Sequence, residues 1–348
     1  MNRRECTKVV LVPGIMGSEL RLVETDSSKI LRERLIWGGD LNVIWQSLAE
    51  QPDVFSSKNI KPGKILRYLT GFPFPLRKRP VYGPLLEHLV NHYHFQEGDN
   101  LLEFGYDWRA CNVKSSKVLA QFLEKRTDEV DRVTLIAHSM GALICRAFLA
   151  EPTFAHLHSR IHKVIQLGAP VLGSPKAFFT LKNSPRINAL FDVALRKRQK
   201  KNPELYHFLH TSLESFQSLF QLLPPTTEQI VFDVAGTQYS ALNPALWGSE
   251  VGPLLKGAET LHDLLTGLSS DKLFALYSTT IPTERAYLID ARKMVKEISK
   301  PLISGDGTVT IASASAATME RNRISFGGIN HDTLPTSPEV WRSLEGLL

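Results

Sequence analysis

Ser139 lies where an apolar run with the pattern of a strand meets one with the pattern of a helix. Residues 133–137 read V-T-L-I-A, typical of a buried strand, and a helical pattern begins at Met140. A serine in such a turn, with small residues two positions before and two after, is typical of a nucleophile elbow. Ala137 and Gly141 are small enough. The pattern predicts Ser139 as a nucleophile, and the alternative is an ordinary turn that contains a serine.

A serine nucleophile requires a general base and a carboxylate that orients the base. With this kind of elbow the chain order is serine, acid, histidine. Asp306 lies between two glycines in S-G-D-G-T, where the strand pattern has ended, and we predict that it is the acid. A plain Asp-Gly turn is the alternative. His331 is the only histidine after His262 and lies in a glycine-containing loop, so we predict that it is the base.

Two backbone N–H groups are expected to stabilise the negative charge that develops on an ester oxygen. The first belongs to Met140, which follows the predicted nucleophile, and the second to Ile15 in V-P-G-I-M-G-S. A plain turn after the first strand is the competing interpretation of that loop. We expect Met16 of the same loop and Trp108 of Y-D-W-R to contact the substrate. For Y-D-W-R, a buried Asp–Arg pair that holds the loop is the structural alternative.

Short apolar runs alternate along the chain with segments of helical periodicity. This alternation indicates an α/β fold, a mostly parallel sheet with helices on both faces. The predicted strands cover 8–12, 100–104, 132–137, 163–167, 272–278, 286–289 and 323–326. The predicted helices cover 85–92, 114–129, 140–151 and a segment that begins at Pro338. Val118, Phe122 and Val130 are expected to face the core from the second of these helices.

Two stretches interrupt the alternation and are predicted to be insertions in one core, not independent domains. Residues 19–80 are rich in proline, tryptophan and basic residues and show no clear pattern of strands. Residues 175–270 are mostly helical in pattern, with a single candidate strand at 230–235. The core then consists of 1–18, 81–174 and 271–348.

The composition, 43% hydrophobic and 22% charged over 348 residues, is that of a soluble globular protein. No apolar run reaches the ~18 residues of a membrane-spanning helix, and the first apolar run is too short for a secretory signal. We therefore expect a cytoplasmic protein. Cys6, Cys111 and Cys145 fit neither a disulfide framework nor a metal site, and the histidines at 88–94 lack a completing ligand. No metal or other cofactor is predicted.

The net charge of +6 is partly concentrated in two basic runs, at 77–79 beside Phe72 and Phe74, and at 196–201. The sequence shows neither a helix that could read bases in a DNA groove nor a sheet on which bases could stack, so nucleic acid is not a predicted partner. Two interpretations stay open, a solvated basic face and peripheral contact with an anionic membrane. The oligomeric state is also open.

The motifs together resemble the lecithin:cholesterol acyltransferase family, which includes lysosomal phospholipases and phospholipid:diacylglycerol acyltransferases. The resembling stretches, in the family's order, are V-V-L-V-P-G-I-M-G-S-E-L at 9–20, Y-D-W-R at 106–109, A-H-S-M-G at 137–141, L-G-A-P-V-L-G-S-P-K-A at 167–177, F-Q-S-L-F-Q-L-L-P-P at 216–225 and G-D-G-T-V at 305–309. His331 follows in the expected place. The chain departs from the family at Ala137, where members usually have glycine, and shows neither the signal peptide nor the disulfides of secreted members.

The resemblance implies an α/β-hydrolase fold, with a membrane-touching excursion at 19–80 and a helical cap at 175–270. It also implies an acyl-enzyme on Ser139, with the acid, base and N–H donors named above. We expect a serine acyl hydrolase that cleaves ester lipids, in the manner of a lipase or phospholipase. The alternatives are an O-acyltransferase that moves the acyl group to an alcohol and a non-catalytic ligand sensor on the same fold.

Overall fold

The structure, a computed structural model, describes residues 7–25, 31–71, 74–183, 213–290, 295–296 and 302–348. Its strands are β1 (Thr7–Val12), β2 (Ser18–Thr25), β3 (Leu31–Trp37), β4 (Ile60–Ile65), β5 (Tyr68–Gly71), β6 (Phe74–Pro80), β7 (Leu101–Glu103), β8 (Arg132–His138), β9 (Ile161–Leu167), β10 (Gln229–Phe232), β11 (Gln238–Ser240), β12 (Leu273–Ser278), β13 (Ile281–Glu284), β14 (Tyr287–Ile289), β15 (Val295–Lys296), β16 (Leu302–Gly305) and β17 (Arg323–Phe326). Its α-helices are α1 (Leu41–Glu50), α2 (Gly83–Tyr93), α3 (Asn112–Arg126), α4 (Met140–Ala150), α5 (Ala155–His158), α6 (Pro175–Asn183), α7 (Gln217–Phe220), α8 (Gly252–Thr266), α9 (Ile311–Ser315) and α10 (Pro338–Leu344).

A six-stranded parallel sheet, in the order β17-β12-β9-β8-β1-β7, forms the centre of the fold. Successive residues of β1 alternate between its faces. Val9 and Leu11 pack into the cluster that includes residues of α2 and α10, whereas Val10 and Val12 pack into the cluster that includes residues of α3 and α4. Burial on both faces explains why such strands are continuous apolar runs. This arrangement is the α/β-hydrolase fold, as the sequence led us to expect.

The parallel strands place their carboxyl ends at one edge of the sheet, where ligand sites of open α/β sheets lie. The loops after β1, β8, β9 and β17 carry Gly14, Ser139, Gly168 and His331 respectively, and so they meet at this edge. Asp306 is positioned by a strand outside the central sheet. It follows β16, which pairs with β13 in a separate two-stranded sheet.

The buried side of α3 differs from the prediction. Val118 is 47% exposed, and Val130 is 44% exposed and lies beyond the end of the helix. The buried positions are Asn112, Ser115, Ser116, Leu119, Ala120 and Leu123. They follow the three- and four-residue spacing of one helix face, and several are polar. Phe122 is partly buried and packs against the core, as predicted, so the prediction is wrong for Val118 and Val130 only.

Strands are more numerous outside the central sheet than the sequence indicated. Residues 18–80 contain β2 to β6, which form a three-stranded and a two-stranded sheet, with α1 between β3 and β4. Pro62 and Gly63 in β4 and the prolines of β6 are types depleted in strands, which hides the pattern. The predicted strand at 286–289 is β14, but it belongs to a four-stranded sheet with β10, β11 and β15 and not to the central sheet.

Several sequence features lie outside the described residues, namely Cys6, Phe72 and the basic run at 196–201. The stretch at 175–270 is described on either side of that run, as α6 and from α7 to α8. Within the described ranges, no helix combines the length and the apolar composition needed to cross a bilayer.

Candidate active site

Ser139 lies in a strained turn between β8 and α4. Its backbone has φ 51° and ψ −125°, a conformation that residues other than glycine rarely adopt. The turn is closely packed, because a Cβ on Gly141 would lie 2.5 Å from the carbonyl oxygen of Pro13. Ala137 is completely buried, and its methyl group fits at the position where family members usually have glycine. The geometry is that of the predicted elbow.

The side chains of Ser139, His331 and Asp306 form one hydrogen-bonded row. The Oγ of Ser139 lies 2.8 Å from Nε2 of His331, and Nδ1 of His331 lies 2.7 Å from Oδ2 of Asp306. The backbone N–H of His331 also donates to the carbonyl oxygen of Asp306, at 2.8 Å. All three residues are buried. The structure therefore brings together the three side chains for which the sequence predicts the roles of nucleophile, base and acid.

The charges in this row are coupled. Burial raises the pKa of Asp306, but the nearby His331 and backbone N–H donors, including that of Val309 at 2.7 Å, bring the pKa below its ordinary value. Burial lowers the pKa of His331, but the charge of Asp306, its hydrogen bond to the ring and the charge of Asp332 together outweigh burial and bring the pKa above the ordinary 6.5. Asp306 is thus held ionised, and it favours a proton on the imidazole.

Glycine is required at position 168, beside the row of Ser139, His331 and Asp306, and no sequence pattern identified it. Its φ of 59° lies in the left-handed region. A Cβ there would lie 2.9 Å from Oδ2 of Asp306 and 3.0 Å from Nδ1 of His331. A side chain at this position would therefore displace the acid or the base. The only available signal was a glycine directly after a predicted strand.

His138 is a second buried histidine, which the sequence reasoning treated only as part of the turn. Its Nε2 lies 3.1 Å from the carbonyl oxygen of His331, and its Nδ1 lies 2.8 Å from the hydroxyl of Tyr82. A carbonyl only accepts, so Nε2 carries the hydrogen and Nδ1 accepts from Tyr82. Tyr82 in turn accepts from the N–H of Gly14, at 2.8 Å. Burial, with the nearby His331, lowers the pKa of His138 to about 3, so this ring is neutral.

The two predicted oxyanion donors lie close to Ser139. Met140 is the first residue of α4, and Ile15 lies in the turn closed by the bond from the Gly17 N–H to the Gly14 carbonyl, 3.1 Å long. Among the described residues, neither the Met140 nor the Ile15 N–H has a hydrogen-bond acceptor. Met16 has φ 62°, and its carbonyl accepts from the indole of Trp37 at 3.0 Å, which helps to hold the turn.

A cavity of about 120 Å³ opens beside Ser139 and His331. Ile15 and Met16 line it, so Met16 lies where a substrate contact was predicted. Its other apolar lining residues come from α6, α7 and neighbouring loops and are Pro170, Ala177, Leu219, Leu222 and Val309. One cation, Lys176, lies in the wall, with Nζ 3.3 Å from Oγ1 of Thr308.

Trp108 does not line this cavity, contrary to the prediction. It is 1% exposed, its indole donates to the carbonyl oxygen of Ser18 at 3.0 Å, and its ring packs against Trp37 at 5.1 Å. Asp107 and Arg109 pair at 2.6 Å, and Arg109 also donates to the carbonyl oxygen of Ser57 at 3.1 Å. Y-D-W-R thus has the structural role that was considered as the alternative.

The remaining cysteine and histidine candidates form no site of their own. Cys111 and Cys145 are buried and unpaired, and burial raises the pKa of the Cys145 thiol. His88 stacks on His92 and on Trp341, with ring centroids 4.9 Å apart in both pairs. In the part of the chain that the structure describes, no three His, Cys, Asp or Glu side chains are grouped as metal ligands would be.

Comparison with known proteins gives a family match and distant relatives. Residues 70–247, just over half of the chain, match the family Lecithin:cholesterol acyltransferase. Putative phospholipid:diacylglycerol acyltransferase 2 of Arabidopsis thaliana is 27% identical over 271 residues, which are 68% of this chain and 40% of that protein. Phosphatidylcholine-sterol acyltransferase of Gallus gallus is 27% identical over 251 residues, which are 69% of this chain and 57% of that protein. The aligned part is therefore well under two thirds of either relative.

A solved structure is similar over nearly the whole chain. A chain in the crystal structure of the Tle4-Tli4 complex aligns with a TM-score of 0.64 over 99% of this chain and 98% of that chain. The two sequences are 14% identical, so the similarity concerns the fold.

Proposed function

Because the chain belongs to the lecithin:cholesterol acyltransferase family, we propose that it is a serine acyl hydrolase that cleaves ester lipids. The observation that carries the proposal is the hydrogen-bonded row of Ser139, His331 and Asp306, on an elbow with φ 51° at the serine. A row of this kind activates a hydroxyl for attack on an acyl carbon.

In the acylation step, Nε2 of His331 takes the proton of Ser139 as Oγ attacks the ester carbonyl carbon. The carbonyl oxygen becomes negative and accepts hydrogen bonds from the N–H groups of Ile15 and Met140, which have no other acceptor among the described residues. His331 then gives its proton to the departing alcohol oxygen. The products of this step are the free alcohol and an acyl ester on Ser139.

In the deacylation step, water attacks the acyl-enzyme while His331 takes the proton of the water. The imidazolium formed in each step is stabilised by the ionised Asp306, 2.7 Å from Nδ1. Collapse of the second tetrahedral intermediate returns the proton to Ser139 and releases a fatty acid. The apolar side chains beside Ser139, such as Leu219 and Leu222, suit an acyl chain.

Active-site labelling with a fluorophosphonate tests the proposal, because this reagent modifies a serine that a base activates. We expect the wild-type protein to be labelled and Ser139→Ala to be unlabelled. Ser315→Ala is the matched control, since Ser315 only donates to the carbonyl oxygen of Ile311 within α9. Equal labelling of Ser139→Ala and the wild type would show that another serine is the nucleophile.

Acyl transfer to an alcohol is the second candidate, supported by the matched family and by both relatives, whose names refer to acyltransferases. Transfer and hydrolysis share the acyl-enzyme and differ in what reaches it, an alcohol or water. The products formed from one ester lipid with and without a long-chain alcohol separate them. A transferase yields a new ester in proportion to the alcohol, and a hydrolase yields fatty acid in both reactions.

Location and membrane contact belong to the same proposal. The buried, unpaired Cys111 and Cys145 support a reducing compartment such as the cytoplasm. Exposed basic residues such as Lys78 support contact with anionic lipid surfaces. Fractionation of cells that express the full chain, with a salt wash of the membranes, tests both. We expect the protein inside the cells, with its membrane-bound part released by the salt wash. Recovery of the protein from the medium contradicts this location.

A further inference from the structure

Neighbouring residues of the basic run at 77–79 differ in exposure, because successive side chains of strand β6 point to opposite faces. Lys78 is exposed, whereas Arg79, the next residue, is partly buried. The Nη1 of Arg79 is shielded from water and has no hydrogen-bond partner in the described part of the chain. A buried donor without an acceptor is costly, and charged donors more so. Arg79 is therefore not an ordinary member of a solvated basic face.

Arg79 lines a second cavity, of about 110 Å³. It adjoins the cavity beside Ser139 at the turn Gly14–Gly17, here called the oxyanion turn. The two cavities share Ile15, Met16, His138 and Asp332. The walls around Arg79 are mainly apolar and include Trp37, Leu41, Leu66, Leu69 and Val81. A ligand that enters here would place an apolar part against these walls and its polar end beside one guanidinium.

The charges around this cavity are Arg79 and the carboxylate of Asp332. His138, also in the wall, is neutral because its pKa is lowered to about 3, mainly by burial. Asp332 lines both cavities and so lies at their junction, whereas Arg79 lines the second cavity alone. No ion pair joins these two described residues. Arg79 is partly buried and Asp332 is exposed, so the less exposed charge of the second cavity is a cation with no ion-pair partner among the described residues.

We propose that the second cavity is the subsite for the negatively charged part of the leaving alcohol, and that Arg79 binds its phosphodiester. This inference rests on the proposed function. An ester held with its carbonyl oxygen at the Ile15 N–H would place its acyl chain in the cavity beside Ser139. Its alcohol portion would extend into the adjoining second cavity, where Arg79 supplies donors for phosphate oxygens. Arg79 then determines the preference for phosphate-bearing over neutral ester lipids.

The test compares two short-chain substrates below their aggregation limits, dihexanoyl phosphatidylglycerol and dihexanoylglycerol. Using monomeric substrates removes any effect of charge on membrane binding. Arg79→Met removes the charge and keeps an apolar side chain, and Arg79→Lys keeps a charge. Lys78→Met is the matched control, because it removes the same charge from the neighbouring exposed position of β6. Fluorophosphonate labelling and thermal unfolding of each variant report on Ser139 and on folding.

The expected result is a loss of kcat/KM for the phosphodiester of about 10- to 100-fold in Arg79→Met, the scale of a hydrogen bond to a charged group. Cleavage of dihexanoylglycerol stays within about threefold, Arg79→Lys recovers part of the loss, and Lys78→Met resembles the wild type. Equal losses on both substrates in Arg79→Met, or an unchanged preference, would overturn the subsite. If the wild type cleaves neither lipid and is not labelled, the proposed function itself fails, which is a distinguishable outcome.

Discussion

The phenol oxygen of Tyr82 lies 2.8 Å from Nδ1 of His138, the residue before Ser139, in a buried contact. Tyr82 also binds the N–H of Gly14, and His138 binds the carbonyl oxygen of His331. The pair therefore links the turn that carries the proposed oxyanion donor to the loop that carries the proposed base. Neither side chain hydrogen-bonds to the Ser139 hydroxyl or to the His331 ring among the described contacts, so their expected role is positioning.

Tyr82→Phe should weaken both linked loops. It leaves the N–H of Gly14 and Nδ1 of His138 without partners, which should lower the free energy of unfolding by about 1–3 kcal/mol. The resulting shift of the turn should lower kcat by about 10- to 100-fold. Initial rates and thermal unfolding measure the two effects. Tyr239→Phe, which removes a 3.0 Å bond to Asp233 outside the site, should keep its kcat. If Tyr82→Phe loses stability but keeps kcat, Tyr82 has no positioning role.

The dependence of kcat/KM on pH follows from the raised pKa of His331. Only the unprotonated imidazole can take the proton of Ser139, so activity falls as pH decreases through this pKa. Since the pKa of His331 lies above the ordinary 6.5, the midpoint should be shifted to the alkaline side of that value. A wild-type profile with its midpoint below pH 6.5 contradicts the assignment.

Asp306→Asn removes the negative charge beside His331 and should lower kcat by about 10⁴-fold.

Gly168→Ala should harm the site more than the fold. The new Cβ would lie too close to Asp306 and His331. The alanine backbone would also have to keep a φ of 59°, which is unfavourable for residues other than glycine. We expect a loss of about 1–3 kcal/mol in stability and a fall in kcat of at least tenfold, on the order of the cost of a small misplacement. Gly236→Ala is the matched control, because Gly236 has φ 85° but a Cβ there would meet nothing within 4 Å. Similar losses of kcat in both variants would mean that strain alone is responsible.

Ala137→Gly tests whether the departure from the family's usual glycine matters. Ala137 is completely buried at the end of β8. Replacing it by glycine should cost about 0.5–1 kcal/mol through chain flexibility and should leave kcat within about threefold. Ala137→Val adds two methyl groups to a closely packed elbow and should cost about 1–3 kcal/mol. A large gain in kcat from Ala137→Gly would show that the alanine methyl distorts the elbow.

The positions of Ser139, Asp306 and His331 were accessible from the sequence because the chemistry limits the choices. A base must follow the acid along the chain, and His331 is the only histidine after His262. The alternation of apolar runs likewise predicted the strands of the central sheet, since burial on both faces requires continuous apolar residues.

Contacts made by single residues were not accessible. Tyr82 acts through one hydroxyl, and Gly168 through the absence of a side chain, so neither produces a pattern along the chain. Trp108 was assigned to the substrate because of its position, but an indole fits a core equally well, and the structure buries it against Trp37. The buried face of α3 was assigned only in part, correctly for Phe122 and wrongly for Val118, because the polar Ser115 and Ser116 are buried there.

Acylation of Ser139 by an ester lipid can be observed by rapid-quench mass spectrometry. The protein is mixed with a short-chain ester lipid, quenched in acid within milliseconds to seconds, digested and analysed. We expect the mass of one acyl group on the peptide that contains Ser139, and neither an adduct nor turnover in Ser139→Ala. An acyl group on a different residue, or turnover by Ser139→Ala at the wild-type rate, would contradict this expectation.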